Sequence, residues 1–347
     1  MQQTLSLVGL LLPVAFLPGL MSAGTVPRWT VLALLLPIML YWVDWRQVPN
    51  KMLLVLIALY ATASTLWAEV KPDSYLELFR LTLLMAAFTI GTVCGSLERL
   101  LRVMAIGVAI TFPLVLLQVV GYVGVPQTAP PAGLFLNQNV LAESAAVLLI
   151  AMAYTRQWFL AAILLAIVIM AREKAAFVGL VIATIVYLFC RMRMTAYALM
   201  FACAVFTGML INTGSAVDRL DIWQDTLRGV TFFGNGIGSF YSMFPAEAVH
   251  LNVIEVRPEQ AHNEYLHALF ELGAPGLALC LALAYQALRG SLELERLMLV
   301  FILAVSVFAF PLHMPFTAFV AALVAGRLCS SQRYTGRRAA HDGSGYA

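Results

Sequence analysis

Apolar stretches recur along nearly the whole chain with only short polar breaks between them, and this pattern restricts the fold more than any single motif does. A helix that crosses the hydrocarbon core of a bilayer needs about 20 mostly apolar residues, and its backbone groups must all be paired internally because lipid offers them no partner. Hydrophobic residues make up 62% of the chain and charged residues 11%, a balance that leaves a soluble globule too little polar surface to cover itself. The chain therefore reads as an all-α, polytopic transmembrane helical bundle occupying residues 1–328, with no room for a large soluble domain.

Cutting at charged, polar or Pro-rich breaks gives about twelve spans, near residues 5–21, 29–43, 51–67, 76–95, 101–122, 139–155, 158–171, 174–190, 195–212, 264–288, 296–310 and 312–328. The cut at Arg172 is the narrowest, and a kinked or re-entrant element is its alternative. A small-residue stretch at 22–24 resembles a signal-peptide cleavage site, but so many spans follow that 5–21 reads as the first helix.

A net charge of +3 does not point to nucleic acid; in a membrane protein the placement of the basic residues matters more. With twelve spans and an inside N terminus, thirteen of the 21 Lys and Arg residues face the cytoplasm. The other eight are Arg28, Lys71, Arg80, Arg172, Lys174, Arg219, Arg228 and Arg257, so the positive-inside rule favours cytoplasmic termini. That topology puts the one long hydrophilic loop, about 213–261, on the outer face between spans 9 and 10. Inside it Val217, Leu220, Trp223 and Leu227 recur at helical spacing, which predicts a short amphipathic helix on the membrane surface or over a cavity. The tail 329–347 is polar and basic and is expected to be disordered.

Cys94, Cys190, Cys203, Cys280 and Cys329 lie in or at the ends of apolar stretches without metal-ligand spacing, and read as small apolar residues. His262 and His267 would diverge by about 140° on a helix at ~100° per residue, and His250 and His313 show no partner pattern, so neither a metal nor a cofactor is expected. The glycines Gly234, Gly236 and Gly238 follow no strand, and a tight turn suits them better than a phosphate loop.

The strongest local signal lies where the outer loop re-enters the membrane: His262-Asn263, then nine residues, then Gly273-x-x-Gly276. Gly133 to Asn139 opens one span, Glu173-Lys174-Ala175-Ala176 opens another, and Arg219 to Trp223 precedes Gly234-Asn235-Gly236-Ile237-Gly238. Over about 133–283 this series resembles the O-antigen ligase and polymerase superfamily, although Glu173-Lys174 stands where the family usually has Ser-Arg and Leu277 where the ligases often have Thr or Val. The resemblance implies a GT-C-like membrane glycosyltransferase of the bacterial inner membrane with an undecaprenyl-diphosphate-linked glycan as donor. It further implies metal-independent, inverting transfer to a hydroxyl of lipid A core, of another lipid-linked repeat or of a protein.

Breaking a glycosyl diphosphate takes cations against the departing diphosphate and a base for the proton of the attacking hydroxyl. His262 is the candidate base, its bland alternative being an interfacial capping histidine. Lys174, Arg172, Arg219 and Arg80 are candidates for the diphosphate clamp, with snorkelling or solvated charge as their alternative. Asn139, Glu143, Asn263 and Arg257 are candidates for acceptor or glycan contacts, and Arg257 also for the clamp. Against those roles, Asn139 is suited to capping its helix and Glu143 to being a protonated structural carboxyl. A transporter or an inactive glycolipid-binding scaffold are the rival classes; neither duplicated halves nor mid-membrane charge clusters speak for the transporter.

Overall fold

The computed structural model describes residues 1–20, 22–191, 214–244 and 258–342. Its helices are α1 (Gln2–Val14), α2 (Val26–Leu40), α3 (Lys51–Ser64), α4 (Lys71–Val93), α5 (Glu98–Ile110), α6 (Phe112–Val119), α7 (Gln138–Tyr154), α8 (Trp158–Ala171), α9 (Lys174–Arg191), α10 (Gly214–Arg228), α11 (Phe240–Met243), α12 (Glu264–Leu288), α13 (Glu293–Val305) and α14 (Pro315–Asp342). Helices stand in each segment expected to span except 195–212, which lies outside the described residues. Among the described residues three helical stretches are long and apolar enough to cross a membrane, namely α4, the nearly continuous α5–α6 from Glu98 to Val119, and α12. The apolar helices α1, α2, α3, α7, α8 and α9 are shorter.

α7 sits at the centre. Every residue from Val140 to Leu148 is buried, which is what an all-round apolar helix requires, and α5, α8, α9 and α13 pack around it. α14 lies against α4 along most of its length. Gly91 and Gly326 allow that pair to approach closely, since a Cβ on either would overlap the opposing carbonyl of Leu323 or Phe88.

Arg28 is buried in the first turn of α2. The carbonyls that α1 leaves open at its C terminus explain it: Arg28 Nε donates to Leu12 O (2.8 Å) and Nη2 to Pro13 O (2.8 Å), while the guanidinium lies 4.2 Å from the centre of the Phe135 ring. An arginine buried among carbonyls and an aromatic face is satisfied without a carboxylate.

α14 is drawn as one helix to Asp342, where Arg337, Arg338, Ala339 and Ala340 are good helix formers and no proline intervenes. The expected amphipathic helix is α10: it buries Ile222, Asp225 and Thr226 and packs Trp223 against the protein, while Leu220 and Leu227 of the stripe stay exposed.

The outer loop is anchored by a break in α12. Gly273 has φ 65° and ψ −172°, a conformation open only to glycine, and Pro275 supplies no N–H. In a regular helix Ala274 N–H would bond Phe270 O and residue 275 would bond Glu271 O. Ala274 N instead donates to Phe232 O (3.0 Å), and the two vacated carbonyls accept from Asn235 N (2.9 Å) and Gly236 N (2.8 Å). The Gly-Asn-Gly-Ile-Gly turn therefore repairs the helix that the glycine and proline interrupt. Tyr60 Oη to Phe233 O (2.9 Å), Trp67 Nε1 to Gly234 O (3.1 Å) and Ile237 N to Ser64 Oγ (3.1 Å) fasten its other side to the end of α3 and the residues after it.

Candidate functional site

His262 ends the outer loop. Asn263 caps α12, its Oδ1 accepting from the N–H groups of Tyr265 and Leu266 at 3.0 Å each, as a cap residue should. This leaves His262 in the left-handed region with φ 50°. Such a conformation is uncommon for a side-chain-bearing residue, and the surroundings hold it there. Trp223 Nε1 of α10 donates to Ala261 O (3.0 Å), Glu264 N donates to Ser306 O (2.8 Å), and the Phe310 ring stands edge-on to the imidazole with centroids 5.0 Å apart.

Arg219 of α10 is half-buried and close enough to act electrostatically on His262, Glu143 and Glu173. Side chains from α7, the α8–α9 junction and the turn before α12 thus all lie within electrostatic reach of one guanidinium. Burial, and after it the Arg219 charge, lower the His262 pKa to about 4, so the imidazole is neutral at physiological pH. Glu173 is buried at the N terminus of α9 and accepts from the Ala176 N–H. Its burial raises the pKa, outweighing the opposing pull of the backbone N–H groups, Arg219 and Lys174. Glu143 Oε2 is buried and has no hydrogen-bond partner among the described residues.

The remaining candidates are placed as follows. Lys174 starts α9 beside Glu173 and acts on it electrostatically. Arg172 ends α8 in the left-handed conformation with its side chain exposed. Arg80 is paired with Glu77 and lies 5.8 Å from the Trp29 ring centre. Asn139 is not the cap of α7; that is Asn137, whose Oδ1 accepts from Val140 N at 3.0 Å. Asn139 is the second residue of the helix, past the cap position. The carboxamide oxygen of Asn263 is already engaged in capping, which leaves its amino group for any glycan contact. Arg257 lies outside the described residues.

A second buried polar network was missed. His313, set aside for want of a partner, has its Nδ1 2.9 Å from Glu264 Oε2, and Glu264 Oε1 accepts from Leu312 N (2.6 Å). His267 Nε2 lies 3.2 Å from Glu271 Oε1, one turn further along α12, and its ring stacks on Phe240 with centroids 4.6 Å apart. His267 and His313 meet at 4.3 Å. A cavity of about 260 Å³ opens beside them, lined also by Asp73, Glu77, Tyr241 and Glu259. The i, i+4 spacing of His267 and Glu271 was a readable signal; the Glu264–His313 pair joins residues far apart in the chain and has no local signature.

No curated protein matches the chain. The family model for O-antigen ligase matches residues 144–281, the stretch that supplies Glu173, Arg219 and His262 and begins one residue after Glu143. This match, over the middle of the chain, supports a relation to the O-antigen ligase and polymerase superfamily.

Proposed function

We propose that the protein is a membrane glycosyltransferase that moves a glycan from undecaprenyl diphosphate to an acceptor hydroxyl, with lipid A core as the acceptor, at the outer face of the inner membrane. The observation that carries this reading is the half-buried, neutral His262 within electrostatic reach of Arg219, at the point where the outer loop re-enters the helices. The acceptor oxygen attacks the anomeric carbon from the face opposite the diphosphate, and the bond from that carbon to the diphosphate oxygen breaks with its electron pair leaving on the diphosphate. The configuration inverts, and His262 takes the hydroxyl proton. Arg219 meets the charge on the leaving group, with Lys174 and Arg172 at the α8–α9 junction as further cations; no metal is needed for the charge balance. The full architecture in this reading has about twelve spans in a GT-C-like arrangement with both termini in the cytoplasm.

Transfer from a purified undecaprenyl-diphosphate oligosaccharide, in detergent and with EDTA present, tests the proposal when lipid A core, a second donor molecule and a pilin are offered separately. Product on lipid A core alone is the expected result; product on either of the others reassigns the acceptor, and no product on any removes the enzymatic reading. In the same assay Arg219→Ala is expected to raise the donor KM about 10- to 100-fold, matching the ~1.5–3 kcal/mol of a hydrogen bond to a charged group. Lys174→Ala should have a smaller effect and the exposed Arg99→Ala none. Equal effects of all three would argue against a clamp at the outer face.

A further inference from the structure

The turn that carries His262 is tied at several points to one short stretch of chain, residues 306–313 between α13 and α14. Ser306 O accepts from Glu264 N (2.8 Å), Leu312 N donates to Glu264 Oε1 (2.6 Å), His313 Nδ1 lies 2.9 Å from Glu264 Oε2, and the Phe310 ring flanks the imidazole of His262. Glu264 is buried and follows His262 by two residues, so both of its carboxylate oxygens and its N–H are spent on that stretch. We propose that His313 is a positioning residue for His262: through Glu264 it fastens the turn bearing the base to the α13–α14 connection. This rests on the reading of His262 as the base.

The groups facing His313 come from three directions: Glu264, His267 and Glu271 on α12, Glu77 and Asp73 on α4, and Glu259 ahead of α12. Burial opposes a charge on His313, but Glu264, and behind it Glu77 and Glu271, outweigh burial and lift its pKa to about 9. At neutral pH the contact with Glu264 is thus an ion pair. Removing the imidazolium leaves a buried carboxylate with one backbone donor, a costly state that is relieved by protonation or by movement of the turn. Movement would swing the imidazole, which follows the turn from two residues away. Because Arg219 grips the donor from α10, the loss should fall on turnover and spare donor affinity.

The test uses His313→Gln and Glu264→Gln in the full chain, purified in detergent, with two readouts. The first is steady-state transfer, where kcat is expected to fall about 10- to 100-fold, the penalty of a misplaced catalytic group, while the donor KM stays within about twofold. The second needs no turnover: diethyl pyrocarbonate labelling of His262, followed by mass spectrometry, should be several-fold faster in either variant than in wild type. Labelling of His262 at the wild-type rate in both variants overturns the proposal, as does a loss confined to KM. If one variant fails to fold, the other decides. His262→Ala is assayed alongside: full transfer by that variant overturns the base reading, while the labelling of His262 still tests the clamp.

Discussion

His262→Ala is expected to lower kcat for glycan transfer about 10²- to 10⁴-fold, the range a positioned general base contributes, without loss of folded protein. The imidazole is half-buried, makes a ring contact with Phe310, and is not part of the Glu264–His313 pair, so its truncation leaves the packing of α12 and the α13–α14 connection in place. Transfer within about tenfold of wild type would be less than a general base contributes and would move the base elsewhere. The pH profile adds a second check. Burial and Arg219 hold the His262 pKa down to about 4 in the free protein, so kcat/KM should fall as pH drops through about 4. Protonation is penalised in the folded state relative to a free histidine at 6.5. The same group therefore contributes stability that is fully present above 6.5 and lost as pH falls towards 4. A bound diphosphate offsets the Arg219 charge, so the acid limb of kcat should lie above that of kcat/KM. Coincident limbs would separate Arg219 from the donor.

Gly273→Val is expected to cost about 3 kcal/mol or more, combining Gly-only backbone strain with overpacking. A Cβ at this position would overlap the Phe232 carbonyl oxygen and the Gly234 nitrogen, both backbone atoms that cannot turn aside. Relieving that overlap pushes the outer loop off α12 and exposes the carbonyls of Phe270 and Glu271, which accept from Asn235 and Gly236. Unpaired carbonyls are expensive where water is scarce. The measurement is thermal unfolding in detergent followed by monodisperse elution. Gly124→Ala is the control, since nothing lies within 4 Å of a Cβ there, and it should stay within about 0.5 kcal/mol of wild type. An unchanged melting temperature for Gly273→Val would mean that the crossing of loop and helix is not part of the stable fold.

The repeating apolar pattern made the helices legible, because the 3.6-residue period and the length of apolar runs are local properties. The pairing of His262-Asn263 with Gly273-x-x-Gly276 was legible too, though not its reason. The spacing places one helix cap and one helix break on the same element, and the break creates the acceptors that Gly234 to Gly236 need. Glu143, Glu173 and His262 come within electrostatic reach of Arg219, while Arg80 is paired with Glu77 and Arg172 is exposed, contacts that the charge pattern alone did not give. His313 was illegible because its partner Glu264 is on another helix and nothing in the sequence between them announces the contact. Asn137 and Asn139 are equally good caps by residue type; the backbone conformation at Asn137 chooses between them.

The interruption of α12 at Gly273 also divides labour along one helix. A span answers a thicker or thinner bilayer by tilting, and in an unbroken rod that tilt would sweep the far end sideways. Here the portion from Glu264 to Leu272, on the His262 side of the break, is held by Ser306, Leu312 and His313, and the apolar portion from Ala274 to Leu288 starts anew beyond it. The position of His262 is therefore tied to protein neighbours on its own side of the break.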